Sequence, residues 1–245
     1  MFEKLKAKFK KKPLILCIHG FGHRRSTEYN NFKLWGEDTY EFITFDIFDD
    51  QDDNDTNASI WIERCEKELE KLLPLQRDIY IIGFSMGGVL ASYLASKYNV
   101  KKLFLIAPAF EFISLRSVVD TIMKIINNQP SELTMSNKQV SCFMEVVDRC
   151  KDDINLVLCP TLIVHGDNDQ VIPLRSSINA YNKIQHDKKR LIILHEGPHR
   201  LMLDKKTNNE VYQLFSLFMQ DKLITYTPQI AEDPYKKIED KVQKG

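Results

Sequence analysis

Along the chain, short runs of β-branched and other apolar residues alternate with longer stretches whose apolar positions recur at helical spacing. The runs Leu14–His19, Phe42–Phe45, Ile79–Phe84, Leu103–Ala107, Thr161–His165 and Leu191–His195 each have the length of a strand. Between them, Ser59–Leu73, Met86–Tyr98, Leu174–Ile184 and Thr207–Gln220 predict helices, the first with Ser59 as N-cap and Pro74 as terminator. Strand and helix in alternation predict a parallel sheet with helices on both faces, since parallel neighbours need crossovers and bury both faces of the sheet.

One interval breaks the rhythm. About fifty residues separate Ala107 from Cys159 without a strand-like run, but with helical patterns near Ile113–Ile126 and Lys138–Cys150. So long an excursion is expected to lie over the sheet as an insertion rather than as another crossover. Its apolar spacing, at Val118, Ile122, Ile125, Phe143, Val146 and Val147, suggests an ordered helical lid over residues 108–158. The lid is then part of a single domain spanning 1–245, in which 43% apolar residues suffice for a core without disulfide or metal staples. The acidic stretch Asp46–Asn57 reads as a solvated loop; it lacks the spaced glycine and closing glutamate of a calcium loop.

Composition narrows the function classes. Thirty-four basic and thirty-four acidic side chains cancel, so no whole-molecule field draws the chain to nucleic acid. Five dispersed cysteines, with no CxxC pair and no His-Cys cluster at zinc spacing, read as reduced packing thiols and point to a cytoplasmic protein. No segment approaches the roughly 20 apolar residues of a spanning helix, and the N-terminus lacks the apolar run of a signal peptide. Residues 1–12 set Phe2, Leu5 and Phe9 among six lysines, a solvated basic helix or a weak peripheral contact with an anionic membrane. The charged tail from Thr225 is expected to pack loosely, and the chain to be a monomer or homodimer.

The chemistry concentrates at Gly83-Phe84-Ser85-Met86-Gly87-Gly88, which follows the strand IYIIGF and opens the helix VLASYLASKY. A serine in so sharp a strand-to-helix turn adopts a strained backbone that tolerates only small neighbours, and its Oγ is thrust out above the sheet. Serine needs a base to take its proton, and His199 meets that need in the turn Glu196-Gly197-Pro198-His199 after a late strand. His19 and His165 each close a strand before a glycine, where a structural role is expected; His195 is expected still within its strand. An acid to orient the imidazole is available in TLIVHGDNDQVIP, where Asp169 is the first choice and Asp167 the fallback. An oxyanion hole needs two backbone N–H groups. Met86, after the nucleophile, offers one, and Phe21 in the loop His19-Gly20-Phe21-Gly22 the other, its ring placed to line an acyl pocket.

The motifs HGFG, GFSMGG, HGDNDQVIP and GPH, in this order from about Leu14 to Phe218, resemble the α/β-hydrolase superfamily, and within it small bacterial carboxylesterases and monoacylglycerol lipases. That resemblance implies Ser85 as nucleophile, Asp169 as acid, His199 as base, and Phe21 with Met86 as oxyanion donors. The chain begins at what would be the third strand of the full fold, which implies a minimal sheet of six parallel strands ordered 2-1-3-4-5-6 with helices on both faces. Pro198 stands where relatives commonly carry a small residue. The implied activity is hydrolysis of carboxylic esters with an apolar acyl chain, without cofactor or metal, on a small-molecule ester substrate. A thioesterase or another acyl hydrolase is the alternative within the class, and a non-catalytic ligand-binding member of the fold is the reading outside it.

Overall fold

The computed structural model describes residues 11–22, 25–111 and 135–223. The basic segment 1–10, the helix expected near 113–126 and the tail beyond 223 lie outside the described residues. Six parallel strands form one sheet in the order β2-β1-β3-β4-β5-β6. They are β1 (Leu14–Ile18), β2 (Glu41–Thr44), β3 (Ile79–Phe84), β4 (Lys102–Ile106), β5 (Thr161–Gly166) and β6 (Lys189–Leu194). The helices are α1 (Asn30–Gly36), α2 (Ala58–Leu72), α3 (Met86–Lys97), α4 (Asn137–Cys150), α5 (Leu174–Lys183) and α6 (Asn208–Met219).

The two-residue period of the strands sorts the core into two layers. Leu14, Leu16 and Ile18, with Leu103 and Leu105, face α2, α3, α4 and α5; Ile15 and Cys17, with Phe104 and Ile106, face α1 and α6. Strands β1, β4 and β5 are buried along their whole length, whereas edge strands β2 and β6 are largely half-exposed, which is where the alternating pattern weakens. Each Leu, Ile or Phe wholly withdrawn from water contributes about 1.5–3 kcal/mol, so these two layers dominate the favourable side of folding.

Local chemistry sets the helix ends. Asn57, not Ser59, caps α2: its carboxamide oxygen accepts the N–H groups of Ser59 at 2.9 Å and Ile60 at 3.3 Å. Both residues are cap formers, and the earlier one wins because Ala58 already lies in the helix and is buried. Ser136 and Gln139 close a capping box at the start of α4. This helix is the second pattern of the 108–158 interval. It packs on α2 and α3, contributes Phe143, Val146 and Val147 to the core, and so serves as a crossover helix between neighbouring β4 and β5. The stretch 112–134 of the expected lid lies outside the described residues. All five cysteines are free, and among the described residues no helix is long and apolar enough to cross a membrane.

Candidate active site

The site lies at the C-terminal ends of the strands, beside β1 and β3, where the sheet order reverses direction. Ser85 joins β3 to α3 with φ 53° and ψ −119°, a left-handed backbone that a residue with a side chain adopts only under strain. The surroundings enforce it. The Ser85 N–H donates to the Ile106 carbonyl at 3.0 Å, and the Ser85 carbonyl accepts from Gly88 at 2.9 Å and Ala109 at 3.1 Å. The turn closes only because Gly83 and Gly87 lack side chains: a Cβ on Gly83 would collide with the Gly87 carbonyl, and one on Gly87 with the carbonyls of Ile18 and His19.

His199 reaches this serine because the loops after β5 and β6 are knitted together. The N–H groups of Asp167 and Asn168 donate to the carbonyls of Leu194 and Gly197, both at 3.1 Å. His199 Nδ1 then lies 2.7 Å from Asp169 Oδ2, and its Nε2 3.2 Å from Ser85 Oγ. The imidazole leans on the Phe84 ring, with centroids 5.0 Å apart.

Asp169 is cupped by donors. Its Oδ1 accepts the N–H groups of Val171 at 2.8 Å and Ile172 at 2.9 Å, and its Oδ2 also lies 3.2 Å from His165 Nε2. Burial alone would push this carboxyl up. The charge of His199, the hydrogen bonds from both imidazoles and the Ile172 amide outweigh it and hold the group well below the usual carboxylate range. An ionised Asp169 only accepts, so the proton of a neutral His199 sits on Nδ1 and the Nε2 lone pair faces the serine hydroxyl. Asp167, the fallback, points elsewhere: it accepts from His195 Nδ1 at 2.9 Å and the Glu196 N–H at 2.6 Å in an exposed turn just past the end of β6. The His195 hydrogen bond holds its carboxyl below the usual range, though it is exposed.

The loop after β1 flanks the serine. A Cβ on Gly20 would lie 3.2 Å from Ser85 Cβ, so its backbone passes directly beside the nucleophile candidate. Met86 is the first residue of α3, so its N–H belongs to the helix's N-terminal turn. The Phe21 ring lies in an aromatic stack, 5.1 Å from Phe143 and 5.6 Å from Phe48, which anchors the loop against α4. His19 and His165 hold structure, as their positions before glycine suggest. His19 Nε2 accepts the Ile47 N–H at 2.9 Å and its Nδ1 faces the Gly20 carbonyl at 2.7 Å; His165 Nδ1 pairs with Ser177 Oγ at 2.6 Å. Sequence reading missed that His165 also touches Asp169, and it missed Glu28 and Arg200 altogether, since neither carries a motif. Among the described residues, no three His, Cys, Asp or Glu side chains are grouped to hold a metal ion.

A family model described as alpha/beta hydrolase fold matches residues 13–134, and one described as Serine aminopeptidase, S33, matches residues 124–206. A protein of Synechocystis provisionally named a non-heme chloroperoxidase is 26% identical, over 76% of this chain and 84% of its own. One of Mycoplasma pneumoniae provisionally named esterase/lipase 2 is 23% identical, over 71% of this chain and 78% of its own. The crystal structure of Paleococcus ferrophilus monoacylglycerol lipase superposes with a TM-score of 0.68 at 13% identity, covering 87% of this chain and 97% of that one.

Proposed function

For this chain, an α/β-hydrolase that resembles the carboxylesterases, we propose a serine hydrolase that cleaves carboxylic esters with an apolar acyl chain through an acyl-enzyme. The observation that carries the reading is the continuous chain Ser85–His199–Asp169, at 3.2 and 2.7 Å. Ser85 Oγ attacks the ester carbonyl while His199 Nε2 takes its proton, and the ionised Asp169 stabilises the resulting imidazolium without itself being protonated. The N–H groups of Met86 and Phe21 receive the oxyanion, where fixed dipoles need no reorganisation as charge develops. Collapse of the tetrahedral adduct expels the alcohol with the His199 proton. A water activated by the same imidazole then releases the carboxylic acid and restores Ser85.

The preference for an apolar acyl chain rests on Phe21 in the loop after β1, on Phe84 against the His199 ring, and on the Phe, Ile, Val and Met residues of the interval 108–158. Turnover of p-nitrophenyl esters from acetate to laurate by wild type, with loss of at least about a thousandfold in Ser85→Ala, is the expected result. An unaffected Ser85→Ala variant would reassign the nucleophile. A wild type inert on esters but active on acyl thioesters would move the function to a thioesterase, and one inert on both but binding a ligand would make the chain a non-catalytic member of the fold.

A further inference from the structure

One charged pair at the site, a buried carboxylate with a partly exposed guanidinium, has no place in the proton path. Glu28, 3% exposed, closes the turn that precedes α1. One of its carboxylate oxygens accepts the Gly20 N–H at 3.2 Å and the other accepts a guanidinium N–H of Arg200 at 2.6 Å. Gly20 belongs to the loop after β1, and Arg200 follows His199 directly in sequence. A single side chain thus bridges the two loops that flank Ser85, although Glu28 and Arg200 are 172 residues apart. Gly22, at the far end of the first loop, also lies against the pair: a Cβ there would stand 3.6 Å from Arg200 Nη2.

Ion pairs, whether exposed or buried, add little net stability over well-packed apolar residues, so stability alone explains this half-buried pair poorly. Geometry explains it better. Gly20 stands between two peptide planes, and a side chain pins each of them. Its N–H is held by Glu28. Its carbonyl is held by His19 Nδ1 at 2.7 Å, which must carry the proton because Nε2 accepts the Ile47 N–H. In a trans peptide the N–H points opposite to the carbonyl, so these contacts set the direction of the Phe21 N–H. The same carboxylate, through Arg200, sets the backbone that carries His199.

We infer that Glu28 and Arg200 are a positioning pair that registers the Phe21 N–H against the His199 imidazole, so that the oxyanion donor and the proton acceptor meet one transition state. The inference rests on the ester-hydrolase reading above. Catalysis depends on such registration because a misplacement of about 1 Å can cost about a hundredfold in rate.

The test compares wild type, Glu28→Ala, Glu28→Gln, Arg200→Met and the double variant Glu28→Ala/Arg200→Met, using p-nitrophenyl butyrate turnover, melting temperature and labelling of Ser85 by a fluorophosphonate. The single variants are expected to lose about tenfold or more in kcat with KM within about twofold. The double variant is expected to be no worse than the worse single one, and Glu28→Gln, which keeps an oxygen for the Gly20 N–H, to recover part of the loss. Lowered melting temperatures with kcat of the folded protein within about twofold of wild type, or losses that multiply in the double variant, overturn the pairing. Should Glu28→Ala not fold, Arg200→Met, whose side chain is partly exposed, decides by the same criteria. A wild type that neither turns over nor labels removes the hydrolase reading and the pairing with it, whereas an active wild type with unaffected variants removes the pairing alone.

Discussion

Replacing Asp169 by asparagine tests the proton path with almost no change of shape. In the native site Oδ1 accepts two backbone N–H groups, from Val171 and Ile172, while Oδ2 faces His199 Nδ1 and His165 Nε2. An asparagine keeps the two backbone bonds only by turning its oxygen toward them, which aims its NH2 group at both imidazoles. His199 Nδ1 must then accept, its proton moves to Nε2, and Nε2 can no longer take the proton of Ser85. The reverse flip restores the tautomer but sets the NH2 group against the two backbone donors, leaving buried N–H groups unpaired at about 1–3 kcal/mol each. The first arrangement is therefore favoured, and kcat for p-nitrophenyl butyrate at pH 7.5 should fall by about 10⁴-fold, the size of loss known for a triad acid turned into its amide. Asp167→Asn is the control: its partners are the exposed His195 and the Glu196 N–H, and it should stay within about threefold of wild type. Comparable turnover by Asp169→Asn together with a crippled Asp167→Asn would refute the assignment and make Asp167 the acid.

Acid stability should carry the signature of the same carboxylate. Its folded pKa is depressed, so its contribution is fully present above the unfolded value of about 3.9 and is lost as pH falls through the folded one. Urea unfolding of wild type should weaken from about pH 5 downward, and Asp169→Asn should show a shallower decline; equal slopes would remove Asp169 as the source. Gly87→Ala forces a methyl group onto the carbonyls of Ile18 and His19 and should cost about 1–3 kcal/mol or more by urea midpoint, and a variant as stable as wild type would mean that the elbow is looser than described. Asn57→Ala should lose about 1 kcal/mol of stability with kcat unchanged, because its side chain bonds the Ser59 and Ile60 N–H groups and no residue of the proton path; no loss would hand the cap to Ser59.

How much was legible beforehand follows from the range of each signal. Ser85 could be found because its chemistry is local: strand, glycine, serine and glycine within a few residues dictate the turn, and the observed positive φ is its direct expression. His199 needed one more premise, the chain order of the triad in this fold, and the loop between β6 and α6 met it. Asp167 and Asp169 were harder to separate, for both are acidic and follow the same strand. What divides them is which backbone amides cup each carboxylate, a matter of loop path rather than residue type. The second half of the 108–158 interval shows the same boundary, since its apolar spacing announces a helix but not the surface on which that helix packs.

The amino-acid sequence by itself determined the alternation of strands and helices, the parallel sheet and the serine turn, because each depends on periodicity or on neighbours a few positions apart. Only the tertiary structure decided that Asp169 rather than Asp167 meets His199, that Asn57 caps α2, and that His165 touches Asp169. It alone revealed Glu28 between Gly20 and Arg200. Such contacts join segments far apart in the chain, and no local pattern encodes which distant partner a buried charge will find once the sheet has closed around it.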